Sequence, residues 1–483
     1  MILHLNHLQR KSAATTAHDV VEALYSLLEE GHLEQGQFAH LRVHLDWIQY
    51  RQSFREAVTV TQDTNERGER LPLMEVHVDT RQVVPGSLRG EMLQAMMRAN
   101  PQADQLQDRL VLEDFCTFRS SIAWEFNRLY WHRLPEWEEF TGRSYELALP
   151  GGKSDANHPQ AVADCVADFW TLMRDLENKN QLPAELFILE IGVGMGVRAG
   201  LWLDRFLALD RERGTNYYPR LKFLLGDYAL STLERSRPAV QKHIDLCSFI
   251  VLDALNPIKT LSFLRHKILH IHLTNVYDNL ADEELARRDG RLYLVQVRAY
   301  LPIAEAQRIG KAFELPVEEI NRAVHRLIES GPEHFLDRTR GVAFWQDVWK
   351  ALRLEERLVC IDDLPDAALP GGLDAANLEE VLREAPSDFR FHLSSGAVES
   401  FRNTLPLLYP RGYLQVQDIF VTDLNQYRLG FHGPGKLDGS IVNWVNGVLL
   451  REVGERAGYD VHFAPFLYRK GSRTSILYTT QRE

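Results

Sequence analysis

Cysteine is scarce in this chain: four in 483 residues. Cys116, Cys165, Cys247 and Cys360 stand far apart, with no CxxC pair and no Cys/His cluster. Neither a disulfide framework nor a zinc site is indicated, and no metal is expected. Long apolar runs are also lacking. No window approaches the ~18 consecutive apolar residues of a membrane span, and the opening MILHLNHLQRK has no basic start before an apolar core. The expectation is a cytoplasmic protein with no membrane partner. Basic charge is in deficit, with 55 Lys and Arg against 67 Asp and Glu, a net charge of −12. A nucleic-acid binder needs a basic footprint to displace counterions from phosphate, so DNA and RNA are excluded as partners. The acidic balance is compatible with a cationic acceptor, although most of these carboxylates are solvated surface. What the chain does have is 45% hydrophobic and 25% charged residues, enough for two or three globular domains.

Residues 186–200, LFILEIGVGMGVRAG, organise the rest. Leu186 to Leu189 form a short apolar run of the kind buried on both faces of a parallel sheet, and Glu190 closes it. Gly192, Gly194 and Gly196 let the backbone turn and approach a ligand with no Cβ in the way. From Val197 to Leu209 the apolar spacing is that of a helix. A dinucleotide fingerprint wants glycine at its sixth position, where this chain has Val197. GxGxG preceded by an acid instead resembles motif I of the class I S-adenosylmethionine-dependent methyltransferases. That resemblance places the glycines under the methionine and sugar of the cofactor.

Three further strands follow, each ending in a polar group. Leu221 to Gly226 ends in Asp227 and Tyr228, where an acid can accept both ribose hydroxyls. Phe249 to Leu252 closes with Asp253 and Ala254, where a carboxylate could take the adenine amino group. Lys267 to Leu273 runs into Thr274, Asn275, Val276, Tyr277 and Asp278. Polar groups at successive C-terminal strand edges mark where open α/β sheets bind ligands.

Residues 1–115 read as a separate, mainly helical element that packs or forms a homodimer. Helices are expected from Ala17 to Glu30, from Gln37 to Ser53 and from Leu88 to Arg98, with a half-buried strand over Leu73 to Asp79. The eighteen histidines are scattered; His40 and His44 fall on one expected helix face and read as ordinary, partly exposed residues. Residues 116–149 are rich in aromatic and acidic side chains. They could cage a cation, but helical packing on the sheet is favoured. PGGKSDANHP, 150–159, reads as a loop leading into a helix over 160–176, with Asp155 and His158 as substrate-binding candidates.

After the fourth strand comes an insert, 281–405, too long to lack structure of its own. Arg291 to Leu301 reads as strand; Val317 to Ser330, Phe344 to Leu354 and Leu378 to Glu384 read as helices; PDAALPGGLDAAN is a linker. Overhanging the C-terminal sheet edge, the insert is the expected acceptor domain. The core resumes over 406–483, with a strand at Gly412 to Val421, a helix at Asn446 to Ala457 and a terminal pair at Tyr459 to Phe466 and Thr474 to Thr480. Between them, Gly430 to Gly447 is a glycine-rich loop placed beside the acceptor pocket, with Asp438 and Asn443 its notable polar groups.

The set EIGVGMG, NVYDNL followed by RLYLVQVRAYLP, a large helical insert and a late DGSIVNWVNG is similar to the MidA group, relatives of the mitochondrial complex I assembly arginine methyltransferase. The resemblance covers about Pro150 to the C-terminus. That family carries NE(F/L)(F/L)DALP, which Asn275, Tyr277, Asp278 and Leu280 match or approach. Val276 replaces its Glu and Asn279 its Ala.

The resemblance implies an α/β, Rossmann-like class I methyltransferase sheet, mostly parallel with an antiparallel last strand, and a large helical insert; the N-terminal helical extension and a first core part over 116–280 are read from the residues themselves, and residues 1–115 have no counterpart in the resemblance. It implies S-adenosyl-L-methionine as cofactor, S-adenosyl-L-homocysteine as product, and a free or protein arginine as acceptor. Glu190, Gly192, Gly194, Gly196, Asp227, Tyr228, Asp253, Ala254 and Asn275 would hold the cofactor. A guanidinium is a poor nucleophile until a carboxylate binds and orients it. Asp278 is the first candidate, Tyr277 lies beside it, and Glu283 and Glu284 come next unless they merely start a solvated helix. A hydroxyl or carboxylate acceptor would instead want a base such as His432. A non-catalytic assembly factor retaining the fold stays open, on the strength of Val276.

Overall fold

Seven strands build the central sheet, and their order sets the site. Across the sheet they run Cys247–Val251, Leu221–Asp227, Leu186–Ile191, Ile268–Thr274, Leu408–Asp418, Ser475–Gln481 and Tyr459–Pro465. Numbered along the chain this is 3-2-1-4-5-7-6, and only Ser475–Gln481 runs against its neighbours. That is the class I methyltransferase sheet, as expected from the sequence. The order reverses between the first and fourth strands, which opens a crevice at their C-terminal ends. The computed structural model describes residues 1–5, 15–45, 53–64, 70–80, 82–84, 86–99, 108–288, 290–335, 337–361, 369, 373–385, 388–429 and 434–482.

Both faces of this sheet are covered. Helices Pro159–Asn178 and Val197–Glu212 bury Phe169, Met173, Trp202 and Phe206 on one side. Helices Ser395–Thr404 and Gly447–Arg456 bury Val398, Phe401, Leu449 and Leu450 on the other. Strands packed on both faces are dominated by apolar residues, although the fourth carries buried His270 and His272 and the fifth buried Gln415 and Gln417.

A second sheet corrects the reading of 1–115 as mainly helical. Its strands run Ile2–Leu5, Arg42–Leu45, Arg70–Val78, Val58–Thr64, Arg353–Ile361, Arg291–Pro302, Glu284–Arg288 and Phe389–His392, with Arg109–Val111 also paired to Arg291–Pro302. The N-terminal region and the insert thus share one sheet, joined where Leu358 and Val359 lie opposite Asp63 and Thr64. The insert is correspondingly mixed rather than helical. This sheet curls until its two halves face each other: Arg42 bonds Asp388 at 3.2 Å and Arg288 pairs with Glu75.

Helix Ala17–Glu29 forms with a Thr16/Asp19 capping box and buries Val20, Leu24 and Leu27 against this chain's own sheet. Its apolar face needs no second copy to cover it. The helix expected over 37–53 is not found among the described residues of that span. A short helix, Gln35–His40, gives way to the strand Arg42–Leu45, because Val43 and Leu45 alternate with Arg42 and His44 at period two. Residues 46–52 lie outside the described set, as does most of PDAALPGGLDAAN.

Candidate functional site

The glycine turn follows the first core strand directly. Gly192, Gly194 and Gly196 all have positive φ, at +74°, +52° and +71°, which favours glycine at each. Their surroundings separate their roles. A Cβ on Gly196 would lie 2.8 Å from the Ser236 carbonyl, and one on Gly192 would lie 2.5 Å from Val276 Cγ2. A Cβ on Gly194 would meet nothing within 4 Å. The outer two glycines pack, and the middle one faces open space that a ligand can fill.

Asp227, at the end of the second strand, is fastened to that turn. Its Oδ2 accepts the Gly194 N–H at 3.2 Å and its Oδ1 accepts the Ala229 N–H at 3.4 Å. Burial pushes its pKa up to about 6, although these backbone bonds oppose the shift. Tyr228 is 36% exposed beside it, and its hydroxyl accepts from Arg128 at 3.3 Å. Asp253 is exposed after the third strand. Its Oδ1 takes the Leu255 N–H at 2.9 Å, and Ala254 lies within that turn. The Leu252 N–H bonds the Asp227 carbonyl at 3.0 Å, which places the two acids on adjacent strand ends. Glu190 is more committed than expected: it is buried, and Arg198 of the next helix donates to its Oε2 at 2.8 Å.

Across the crevice, Asn275 adopts φ +50° and its N–H bonds the Gln417 carbonyl at 3.0 Å. Asp278 is buried and accepts from Asn279 Nδ2 at 2.7 Å. The sequence reading did not single out its neighbour Asp418, at the end of the fifth strand. Asp418 is fully buried and accepts the Tyr277 and Asp278 N–H groups at 2.9 and 3.2 Å. Burial raises Asp418 to about 7. Burial and then the Asp418 charge hold the Asp278 carboxyl well above the usual range. With the strand expected over Gly412 to Val421, Asp418 fell inside it; the structure ends that strand at Asp418, which makes it an acid closing a core strand like Asp227.

Asn443 donates its backbone N–H to the Asp278 carbonyl at 2.8 Å. Its side chain is buried, and neither amide atom has a hydrogen-bond partner among the described residues. Burial, then the Asp278, Glu146 and Asp227 carboxylates, push the Tyr145 phenol up. No local pattern could have indicated that position.

Other expected site residues have different work. The Tyr277 ring is buried in the apolar cluster with Leu285 and Phe401, and burial, with the Asp418 charge, pushes its phenol well up. Glu283 and Glu284 are not a solvated helix start. Glu283 is buried and takes the Ser395 hydroxyl, burial raising it to about 7, while Glu284 begins a strand and pairs with Arg390. Asp155 is consumed by the terminal hairpin: it accepts from Arg469, from Ser472 Oγ at 2.6 Å and from Thr474 Oγ1 at 2.7 Å. His158 packs by Phe466 and Tyr468. Asp438 accepts from Tyr130 Oη at 3.1 Å and Trp137 Nε1 at 2.9 Å, a structural duty. The aromatic segment is packing rather than a cage, but it packs on the insert helix Arg338–Ala351 through Trp345 and Trp349, not on the core sheet. His432 lies outside the described residues.

No protein-family model matches the chain, and no curated protein matches it. Among solved structures, a Burkholderia thailandensis protein bound to S-adenosyl-homocysteine is similar at 14% identity, with 68% of this chain and 76% of that one covered and a TM-score of 0.41. A native structure of a member of the same superfamily from that organism aligns at 12% identity over 76% and 87%, TM-score 0.44. An O-methyltransferase family protein, also from Burkholderia thailandensis, aligns at 12% over 74% and 71%, TM-score 0.25. The fold assignment rests on strand order and direction.

Proposed function

We propose that this chain is a class I S-adenosylmethionine-dependent methyltransferase acting on a guanidino nitrogen, of free arginine or of an arginine in a protein. One observation carries the cofactor half: a three-glycine turn whose middle residue faces open space, bonded to an acid at the next strand end. The glycine amides would lie under the methionine and sugar, Asp227 would accept the ribose hydroxyls, and Asp253 would reach the adenine. Bound there, S-adenosylmethionine supplies an electrophilic methyl group.

The acceptor half is supported by Asp278, Asp418 and Asn443. Burial and the Asp418 charge both disfavour the ionised form of Asp278 while the site lacks a cation. A guanidinium supplies that cation, so its arrival draws the proton off Asp278. The carboxylate then fixes the planar group in place, and Asn443 offers an amide to the same acceptor. Transfer is an in-line displacement, for which alignment at near-attack distance is the protein's main contribution. Asp418 at about 7 favours a second reading, in which the pair serves as base for a hydroxyl acceptor of another small molecule.

Calorimetry with S-adenosylmethionine and S-adenosylhomocysteine, with and without arginine, followed by mass spectrometry for a one-methyl gain, tests the proposal. Cofactor binding with no transfer to any guanidino compound moves the search to other acceptors, or to an assembly factor retaining the fold. Absence of cofactor binding overturns it.

A further inference from the structure

The second sheet carries a polar cluster that methyl transfer does not use. Arg42–Leu45 and Arg70–Val78 run parallel, with His44 opposite His77 and Arg42 opposite Glu75. Alternation sends Val43, Leu45, Val76 and Val78 to the face packed on the helices. His44, Glu75 and His77 go to the other face, the inside of the curl, where Arg288 arrives from a distant strand. Thr59 and Thr61 stand opposite His77 and Glu75 on the third strand and extend both polar rows.

The geometry within the cluster is specific. The His44 and His77 rings stack with centroids 4.9 Å apart and planes 21° from parallel. Their Nε2 atoms lie 3.8 and 3.7 Å from the same Glu75 oxygen, Oε2. Those separations are too long for direct hydrogen bonds. They are close to the ~3.4 Å between ligand atoms that share one tetrahedral ion at about 2.1 Å. One ligand atom from each residue lies within 4.8 Å of the others. Arg288 donates Nε to Glu75 Oε1 and places Nη2 3.3 Å from Oε2, the outer-shell contact that orients a ligating carboxylate. Thr59 Oγ1 is buried with no hydrogen-bond partner among the described residues.

We propose that His44, Glu75 and His77 bind one divalent transition-metal ion, zinc by donor type. Two imidazole nitrogens and a carboxylate oxygen are a three-ligand zinc set that leaves a fourth position for water or a hydroxyl. The ion fastens the strand Arg42–Leu45 to its neighbour. His44, whose side chain is 18% exposed, marks the way in. The site lies on the second sheet and is independent of the methyltransferase reading.

The test uses the full chain stripped with chelator and titrated with cobalt(II) chloride. Expected are one equivalent bound, the visible d–d absorption of a four-coordinate ion, its displacement by zinc chloride and a raised melting temperature. His44→Ala, at the partly exposed ligand, keeps the circular dichroism spectrum and loses metal affinity on the order of a hundredfold. His77→Ala gives the same loss if it folds; if it does not, His44→Ala decides. Failure of the wild type to hold stoichiometric cobalt or zinc overturns the assignment, as does undiminished affinity in folded His44→Ala.

Discussion

The Gly194 N–H donates to Asp227 Oδ2 at 3.2 Å, which joins the turn after the first core strand directly to the acid that ends the second. A ligand resting on the turn therefore meets a carboxylate whose position is already set.

Gly194→Val places a β-branched residue at φ +52° and fills the open side of the turn. Affinity for S-adenosylhomocysteine is expected to fall at least about a hundredfold while the chain stays folded, since strain of this kind costs ~1–3 kcal/mol. Gly196→Val, whose Cβ would press on the Ser236 carbonyl, should lower the melting temperature instead. Calorimetry and thermal melts on both variants separate a ligand-facing glycine from a packing one.

With Asp227 as the proposed ribose acceptor, cofactor affinity is expected to depend on pH. The Asp227 pKa in the free protein is about 6, so the acceptor form is present above that value and lost below it. Affinity should be flat above about pH 7 and fall by about tenfold per unit below pH 6. Asp227→Asn should bind more weakly throughout and show no such slope. A wild-type profile flat from pH 5 to 8 would remove Asp227 from the ribose contact.

Asp278→Asn should leave S-adenosylhomocysteine affinity within about threefold and reduce turnover on the order of a hundredfold or more, because the guanidinium loses its charged anchor. Binding of arginine to the wild type should release protons, seen as a buffer-dependent calorimetric enthalpy. The variant should release fewer.

Asn443→Leu removes a buried amide with no partner among the described residues. Its melting temperature should equal or exceed that of the wild type, since unsatisfied buried polar groups cost about 1–3 kcal/mol. The KM for acceptor should rise about tenfold or more, while cofactor affinity holds. A large loss of stability would mean that the amide is structural.

Asp438→Ala strands the Tyr130 hydroxyl and the Trp137 indole N–H in an apolar cluster. A destabilisation of about 2–4 kcal/mol in urea melts is expected, with cofactor affinity unchanged. A selective loss of acceptor binding at full stability would return Asp438 to the acceptor site.

The core was legible because its evidence is local. Leu186–Ile191 and Leu221–Asp227 are mainly apolar runs closed by an acid and turn residues, Ile268–Thr274 is apolar but for His270 and His272, and the helix between the first two keeps its own period. Each signal sits within a dozen residues, and their order along the chain implies the sheet. Asp227, Asp253 and the glycine turn belong to that local record. The second sheet is a different case. Val58–Thr64 pairs with Arg353–Ile361 across well over half the chain, and nothing in either strand names its partner. His44 likewise looked like a helix-face residue until the register against Arg70–Val78 set it beside His77 and Glu75. Side-chain direction was equally out of reach: Tyr277 and Asp278 are adjacent, yet one ring enters the core while the other carboxyl meets Asp418. Sequence by itself determined the periodicities, the turns and the acids that close the core strands, since backbone sterics and burial act over short spans. Which distant strands pair, which acid accepts the Tyr277 and Asp278 N–H groups and which histidines face one carboxylate were decided only by tertiary structure, because those contacts join residues that the chain keeps far apart.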